Sequence, residues 1–212
     1  MKQCLIISGG EYSRLDINRE KYFVIACDKG YEYARRDGII PDLILGDFDS
    51  YEGELPDGIE IIKLPKEKDD TDTMYAVKEA IKREYKHLEI RCALGKRPDH
   101  EYANYQCMAY SLRHGASCEI ISDKCQVYGV KDGEIEIKCE KGQTFSVFSY
   151  TNESMGVSIS GAHYNVENVG LSSSYPLGQS NYAEADRVKI TVENGMLLIM
   201  KITEEKTIKM LN

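Results

Sequence analysis

The chain has 212 residues, with 27 Lys and Arg against 35 Asp and Glu, for a formal net charge of -8. That sign repels a polyphosphate backbone or an anionic bilayer, so neither nucleic-acid nor membrane binding is expected, and an anionic ligand would need a local cation or a metal ion. No run of about 18 apolar residues occurs, and the apolar start of MKQCLIISGG is too short for a secretory signal, so a soluble, cytoplasmic protein is expected.

Residues 1–122 alternate short aliphatic runs with helical patterns. The runs CLIIS (4–8), YFVIAC (22–27), LILG (43–46), IEIIKL (59–64), LEIRCAL (88–94) and CEIIS (118–122) predict strands. TDTMYAVKEAIKREY, with Met74, Val77, Ile81 and Tyr85 at helical spacing, predicts one helix, and the stretch from about His100 to His114, free of Gly and Pro, predicts another. Such alternation implies βαβ units: an α/β, mostly parallel, doubly wound sheet covered on both faces. Beyond about residue 125 the helical period vanishes. EIEIKC, TFSVFSY, MGVSIS, RVKITVE and MLLIMKI follow one another, with KDG, EKG and ENG as turn signals. The expected division is an α/β domain over 1–125 and an antiparallel β-sandwich or barrel over 126–212. The seven cysteines are odd in number, contain no C-x-x-C and sit mostly in apolar segments, which predicts reduced, buried thiols.

In an open α/β sheet, ligands bind beyond the carboxyl ends of the strands. Here those positions are acidic: Asp28 after the second strand, Asp47 and Asp49 after the third, Asp69, Asp70 and Asp72 after the fourth, and Asp99 after the fifth. Crowded carboxylates repel unless a cation neutralises them or some are protonated. Oxygen ligands without nearby Cys or paired His favour Mg²⁺, and Asp47-x-Asp49 would point both side chains to one side of an extended chain. The competing explanation is that these residues form turns or cap helices, and for Asp70 and Thr71, just before a helix, it stands equally well. Lys96 and Arg97 lie in a Gly-containing strand-to-helix loop suited to an anion, and His100 and Asn104 follow on one helix face.

These residues fall into motifs: D-x-G at Asp28 to Gly30, P-D-x-x-x-G-D-x-D-S from Pro41 to Ser50, K-D-x-T-D from Lys68 to Asp72, and G-x-R-x-D-H-x-x-x-N from Gly95 to Asn104. In order and spacing the set resembles the thiamine pyrophosphokinase family, and GLSSSYPLGQSNYA (170–183) resembles segments of that family's β domain. The resemblance implies transfer of a pyrophosphoryl group from ATP to the hydroxyethyl hydroxyl of thiamine, giving thiamine diphosphate and AMP. It further implies an ATP- and Mg²⁺-binding catalytic α/β domain and a β domain for thiamine binding and dimerisation. The resemblance also implies a homodimer, with thiamine between the α/β domain of one subunit and the β domain of the other. By the same resemblance, Asp47, Asp49 and Asp72 hold Mg²⁺ and phosphates or orient the hydroxyl, with Arg97 as the positioned cation. Asp28, Asp69, Thr71, Lys96, Asp99, His100 and Asn104 complete the nucleotide and thiamine site, and Ser180 and Asn181 contribute from the β domain.

The sequence departs from the family pattern at Lys29 and Lys96, where glycines are usual, and at Ser172 to Ser174, where one residue is usual. With no Trp in the chain, Tyr175 or Tyr182 is the candidate to stack on thiamine. Two other readings compete. D-x-D after a strand also suggests a haloacid-dehalogenase-like phosphatase, although Asp47 follows the third strand rather than the first. Lys29 and Lys96 leave room for a non-catalytic nucleotide or thiamine sensor.

Overall fold

A computed structural model describes residues 3–48, 56–65 and 67–203. The chain divides into two compact units, Met1–Ser122 and Asp123–Asn212.

Among its described residues the first unit carries six strands, β1 (Gln3–Ile7), β2 (Tyr22–Cys27), β3 (Leu43–Gly46), β4 (Glu60–Lys63), β5 (His87–Arg91) and β6 (Ser117–Ile121). They line up as β6-β5-β1-β2-β3-β4, every pair parallel. Leu5, Ile6 and Ile7 in β1 and Leu43, Ile44 and Leu45 in β3 are buried without alternation, as in a sheet covered on both faces. The order reverses at β1, which lies between β2 and β5, so the chain leaves opposite sides of one sheet position and opens a crevice there.

Three helices intervene: α1 (Lys29–Arg36), α2 (Asp72–Lys82) and α3 (Pro98–Arg113). The sequence reading missed α1, whose KGYEYARR has no aliphatic stripe. Tertiary packing supplies what periodicity lacks: a Cβ on Gly30 would lie 2.0 Å from the Ile7 carbonyl oxygen, so only glycine lets this helix sit on the end of β1. In α2 the buried face is made by Thr73, Ala76, Val77 and Ala80, with Met74 and Ile81 at its margins. Pro98 opens α3, where its fixed φ suits the first turn.

Strand β5 stops at Arg91, short of the expected Leu94, because Cys92 turns to φ 53°. The carbonyls of Cys92 and Leu94 then accept the N–H groups of Gly10 (2.6 Å) and Glu11 (2.9 Å), tying this segment to the loop after β1.

The second unit is wholly antiparallel. Its strands are β7 (Cys125–Lys138), β8 (Thr144–Ser149), β9 (Glu153–Ser160), β10 (Val166–Ser172), β11 (Asn181–Tyr182) and β12 (Arg187–Ile202). KDG and ENG are not hairpin turns: RVKITVE and MLLIMKI belong to the single strand β12, paired with β7 from Arg187 opposite Lys138 to Ile202 opposite Cys125. The two turn-like tripeptides face each other across a bulge between Val192 and Met196, where the Gly195 N–H donates to Asp132 Oδ1 (2.8 Å). Long aliphatic flanks override the local turn chemistry, and the bulge lets β12 give its first half to β9 and its second to β8. Phe145, Val147, Val157, Ile159, Val188, Ile190, Leu197 and Ile199 form the core.

All seven cysteines are free thiols; six are buried and Cys125 is partly so. Among the described residues no helix is long and apolar enough to cross a membrane.

Candidate active site

A cavity of about 670 Å³ lies within the first unit, across the carboxyl ends of its strands. Ser8, Gly9 and Gly10 enter it after β1, Cys27 and Asp28 from the end of β2, Asp47 and Phe48 after β3, and Ala93 and Leu94 after β5. Thr71, Asp72 and Thr73 come from the start of α2, and Lys96, Arg97, His100, Glu101 and Asn104 from the start of α3 and the loop before it.

Asp28 is the most constrained of these. It sits at φ 40°, ψ -112°, a conformation that costs a non-glycine residue energy, and its carboxyl folds over Gly46. A Cβ on Gly46 would lie 1.7 Å from Asp28 Oδ1, so the glycine closing LILG makes the space that the acid occupies. Asp28 Oδ1 is buried and meets no hydrogen-bond donor. Burial, then a hydrogen bond with Asp72 and the charges of Asp72 and Asp47, push the Asp28 carboxyl up to about 7.

Lys68 supplies the nearest cation. Its ammonium bonds Asp72 Oδ1 and lies 3.5 Å from Asp47 Oδ2. Burial works against this ammonium, but the hydrogen bond and charge of Asp72 and the charges of Asp47 and Asp28 hold it above its ordinary value. Beside the acids, burial first, then the charges of Asp72 and Asp28, hold the Cys27 thiol well above its usual range, which disfavours the thiolate.

Lys96 and Arg97 line the same cavity, as do Lys29, Glu32 and Glu101. Lys96 Nζ reaches the Gly9 carbonyl oxygen (3.5 Å) and the Tyr33 hydroxyl (3.4 Å), while Tyr33 itself donates to the Gly10 carbonyl oxygen (2.9 Å). Arg97 donates twice to Asp99, at 3.1 and 2.6 Å, in an exposed pair that lowers the Asp99 carboxyl. His100 is exposed on α3. Asn104, one turn on, is 6% exposed and donates its amide to the Ala93 carbonyl oxygen (2.6 Å), fixing the chain where β5 has ended.

Of the residues expected from sequence, Asp28, Asp47, Thr71, Asp72, Lys96, Arg97, His100 and Asn104 therefore line one cavity. Asp49 lies outside the described residues. Asp69 is exposed and Asp99 faces Arg97; neither lines the cavity. Thr71 caps α2, its hydroxyl accepting the Met74 N–H (3.2 Å), whereas Asp70 pairs with Lys78 (2.5 Å). Ser180 and Asn181 belong to the second unit. There Ser180 stands at φ 60° and the Asn181 side chain joins the Tyr164 backbone, accepting from its N–H (3.1 Å) and donating to its carbonyl (2.9 Å).

The sequence reading missed Lys68 as the partner of Asp47 and Asp72, and missed Ser8, Gly9 and Gly10 as cavity wall. The second was legible, since SGG follows the first strand at the same sheet edge.

The donor set suits a hard divalent cation. Asp28, Asp47 and Asp72 present only oxygen, with one buried acceptor unmatched and a single lysine against three carboxyls. Among the described residues no group of three His, Cys, Asp or Glu side chains, this one included, is placed to hold a metal ion by itself. Mg²⁺ does not require one, because it takes one or two carboxylates and fills its octahedron with water and substrate phosphate.

Fold and cavity together define a doubly wound α/β protein with carboxylates and cations lining one cavity at the carboxyl edge of its sheet. Residues 15–120 match the model of the thiamin pyrophosphokinase catalytic domain, and residues 133–197 that of the thiamin pyrophosphokinase vitamin B1 binding domain. The chain belongs to the thiamin pyrophosphokinase family, and is a pyrophosphokinase. It is 23% identical to the thiamine pyrophosphokinase of Bacillus subtilis (strain 168) over 214 residues, covering 96% of this chain and 100% of that protein. The crystal structure of the Bacillus subtilis enzyme superposes with a TM-score of 0.84 at 22% identity, over 96% of this chain and 100% of that one. The Geobacillus thermodenitrificans enzyme gives 0.80 at 19% over 96% and 98%, and the Candida albicans enzyme 0.73 at 16% over 95% and 89%. Neither the phosphatase nor the sensor reading is favoured by these matches.

Proposed function

We propose that the protein transfers the pyrophosphoryl group of ATP to the hydroxyl of thiamine, releasing AMP, and that it does so with Mg²⁺. The observation that carries this reading is the meeting of Asp28, Asp47 and Asp72 with Lys96 and Arg97 around one cavity at the sheet's switch point.

The chemistry asks for charge control. The hydroxyl oxygen attacks the β-phosphorus, the bond from that phosphorus to the oxygen shared with the α-phosphate breaks, and AMP leaves with that oxygen. Positioned charges on the triphosphate carry most of such a step. Lys96 and Arg97 are the side chains to neutralise the phosphates, helped by the N-terminal end of α3. Asp47, Asp49 and Asp72 would hold Mg²⁺, whose chemical contribution is to neutralise the triphosphate and fix its shape. Asp72 is the group to accept the hydroxyl proton. Asp28 sets the charge of the cluster through Asp72, while Asp69 and Thr71 present Asp72 from the turn before α2. Asp99 and His100 complete the nucleotide end, and Asn104 holds its floor.

In this reading the first unit is a doubly wound α/β catalytic domain. The second is a β-sandwich or barrel that takes thiamine through Ser180 and Asn181 and builds a homodimer in the cytoplasm. An assay decides the central claim. AMP appearing from ATP only when thiamine and Mg²⁺ are both present is the expected result. Phosphate released without thiamine would instead indicate a phosphatase, and binding without product a sensor.

A further inference from the structure

Lys68 touches the acid cluster without facing the cavity. Its side chain is 9% exposed and is absent from the cavity lining, yet it bridges Asp47 and Asp72, both of which do line it. The ammonium therefore meets the two carboxylates from outside the cavity that they line. Two carboxylates this close repel one another, and a buried ammonium is costly unless paired, so each party stabilises the other in the ligand-free protein. A lysine suits such a post, being a compact point charge without the fixed fork of arginine, on a stem flexible enough to give ground.

We propose that Lys68 is a built-in counter-ion for Asp47 and Asp72, one with which a divalent cation entering from the cavity has to compete. It is a positioning residue rather than a catalytic one, and the inference rests on the metal-dependent reaction proposed above. In the absence of the cation it keeps the carboxylates together. In its presence its share of the two carboxylates falls, and its positive charge weakens cation binding until the phosphates of the nucleotide add their own negative charge. Free metal is thereby bound weakly and metal bound to nucleotide is favoured.

The test uses the full chain, stripped of metal, with Mn²⁺ as the probe followed by calorimetry and by its effect on water-proton relaxation. Lys68→Met is expected to melt at a lower temperature than wild type in metal-free buffer. It should bind Mn²⁺ about tenfold more tightly without nucleotide, within the usual range of coupling between two ligands of one site. Lys68→Gln, which retains a hydrogen bond but no charge, should also bind more tightly and serves if the Met variant does not fold. Mn²⁺ binding that is unchanged or weaker in these variants, with wild type binding normally, overturns the counter-ion role and leaves the metal reading standing. No Mn²⁺ binding by any of the proteins, with or without ATP, overturns both.

Discussion

Positive-φ side chains occur in both units but are used differently. In the first, Asp28 (40°), Phe48 (58°) and Cys92 (53°) stand just past β2, β3 and β5, at the carboxyl edge of the sheet, while Glu84 (65°) closes α2. In the second, Asp132, Asn168 and Ser180 occupy similar conformations with a bond to hold each: Asp132 accepts from Gly195, and the N–H groups of Asn168 and Ser180 donate to Ser158 and Ser146. Among the described residues, the buried side-chain oxygens without a partner, Ser13 Oγ and Asp28 Oδ1, are both in the first unit. Strain of about 1–3 kcal/mol per residue persists only where surrounding structure enforces it. In the β unit it shapes bulges and corners; at the sheet edge it leaves one oxygen of a carboxyl buried without a donor.

If that contrast is right, stability and activity should separate under mutation. Phe145, fully buried among the β-unit aliphatics, is predicted to cost about 3–5 kcal/mol when changed to Ala, read by urea unfolding. Asp47→Asn and Asp72→Asn should instead cost much less than that, since each relieves carboxylate repulsion while taking one counter-charge from Lys68. Both should slow AMP formation by about 10²–10³-fold, the usual loss when one group of a preorganised electrostatic site is removed. Full turnover in both Asn variants would remove the acid cluster from the mechanism. A loss of stability matching that of Phe145→Ala would make the cluster part of the scaffold.

How much of this was legible depended on how local the cause was. LILG is β3 to the residue, because a short aliphatic run closed by glycine is a local signal, and Asp47 just after it lines the cavity as the strand-end rule requires. Lys68 could be read as part of K-D-x-T-D but not as the partner of Asp47, since that contact exists only once the turn before α2 folds back onto the end of β3. Asn104 was placed on the right helix face, yet its amide is taken by Ala93, whose exposed carbonyl follows from the turn at Cys92. KDG and ENG misled for the converse reason: turn residues are a local preference, and the thirteen register pairs joining β7 to β12 outweigh it.

A pH series sharpens the contrast at its strained end. The Asp28 carboxyl is held near 7, above the ordinary carboxylate value of about 4, so the fold favours its protonated form. The stabilisation from that preference is complete below about pH 4 and is lost as the pH rises through about 7. Metal-free protein should therefore lose stability over this window, on the order of 1 kcal/mol once solvent screening of a half-buried group is allowed for, and Asp28→Asn should flatten the profile. The exposed pairs of Glu60, Asp99 and Asp132 act with the opposite sign, because their carboxyls are lowered and their contribution disappears on acidification. An Asp28→Asn profile parallel to wild type between pH 4 and 7 would show that the strained carboxyl carries no such preference.

The smallest effect tests where scaffold ends and site begins. Thr71 lines the cavity but also caps α2, and the helix it caps starts with Asp72. Loss of a capping hydroxyl costs about 0.5–2 kcal/mol, so Thr71→Ala should lower stability by about 1 kcal/mol while Thr71→Ser, which keeps the oxygen, should not. Because α2 is also anchored by the buried Thr73, Ala76, Val77 and Ala80, loss of the cap alone should move Asp72 little and slow turnover far less than Asp72→Asn. If Thr71→Ala slowed AMP formation as much as Asp72→Asn at unchanged stability, Thr71 would be touching substrate. The border between the satisfied scaffold and the strained site would then lie one residue earlier in the chain.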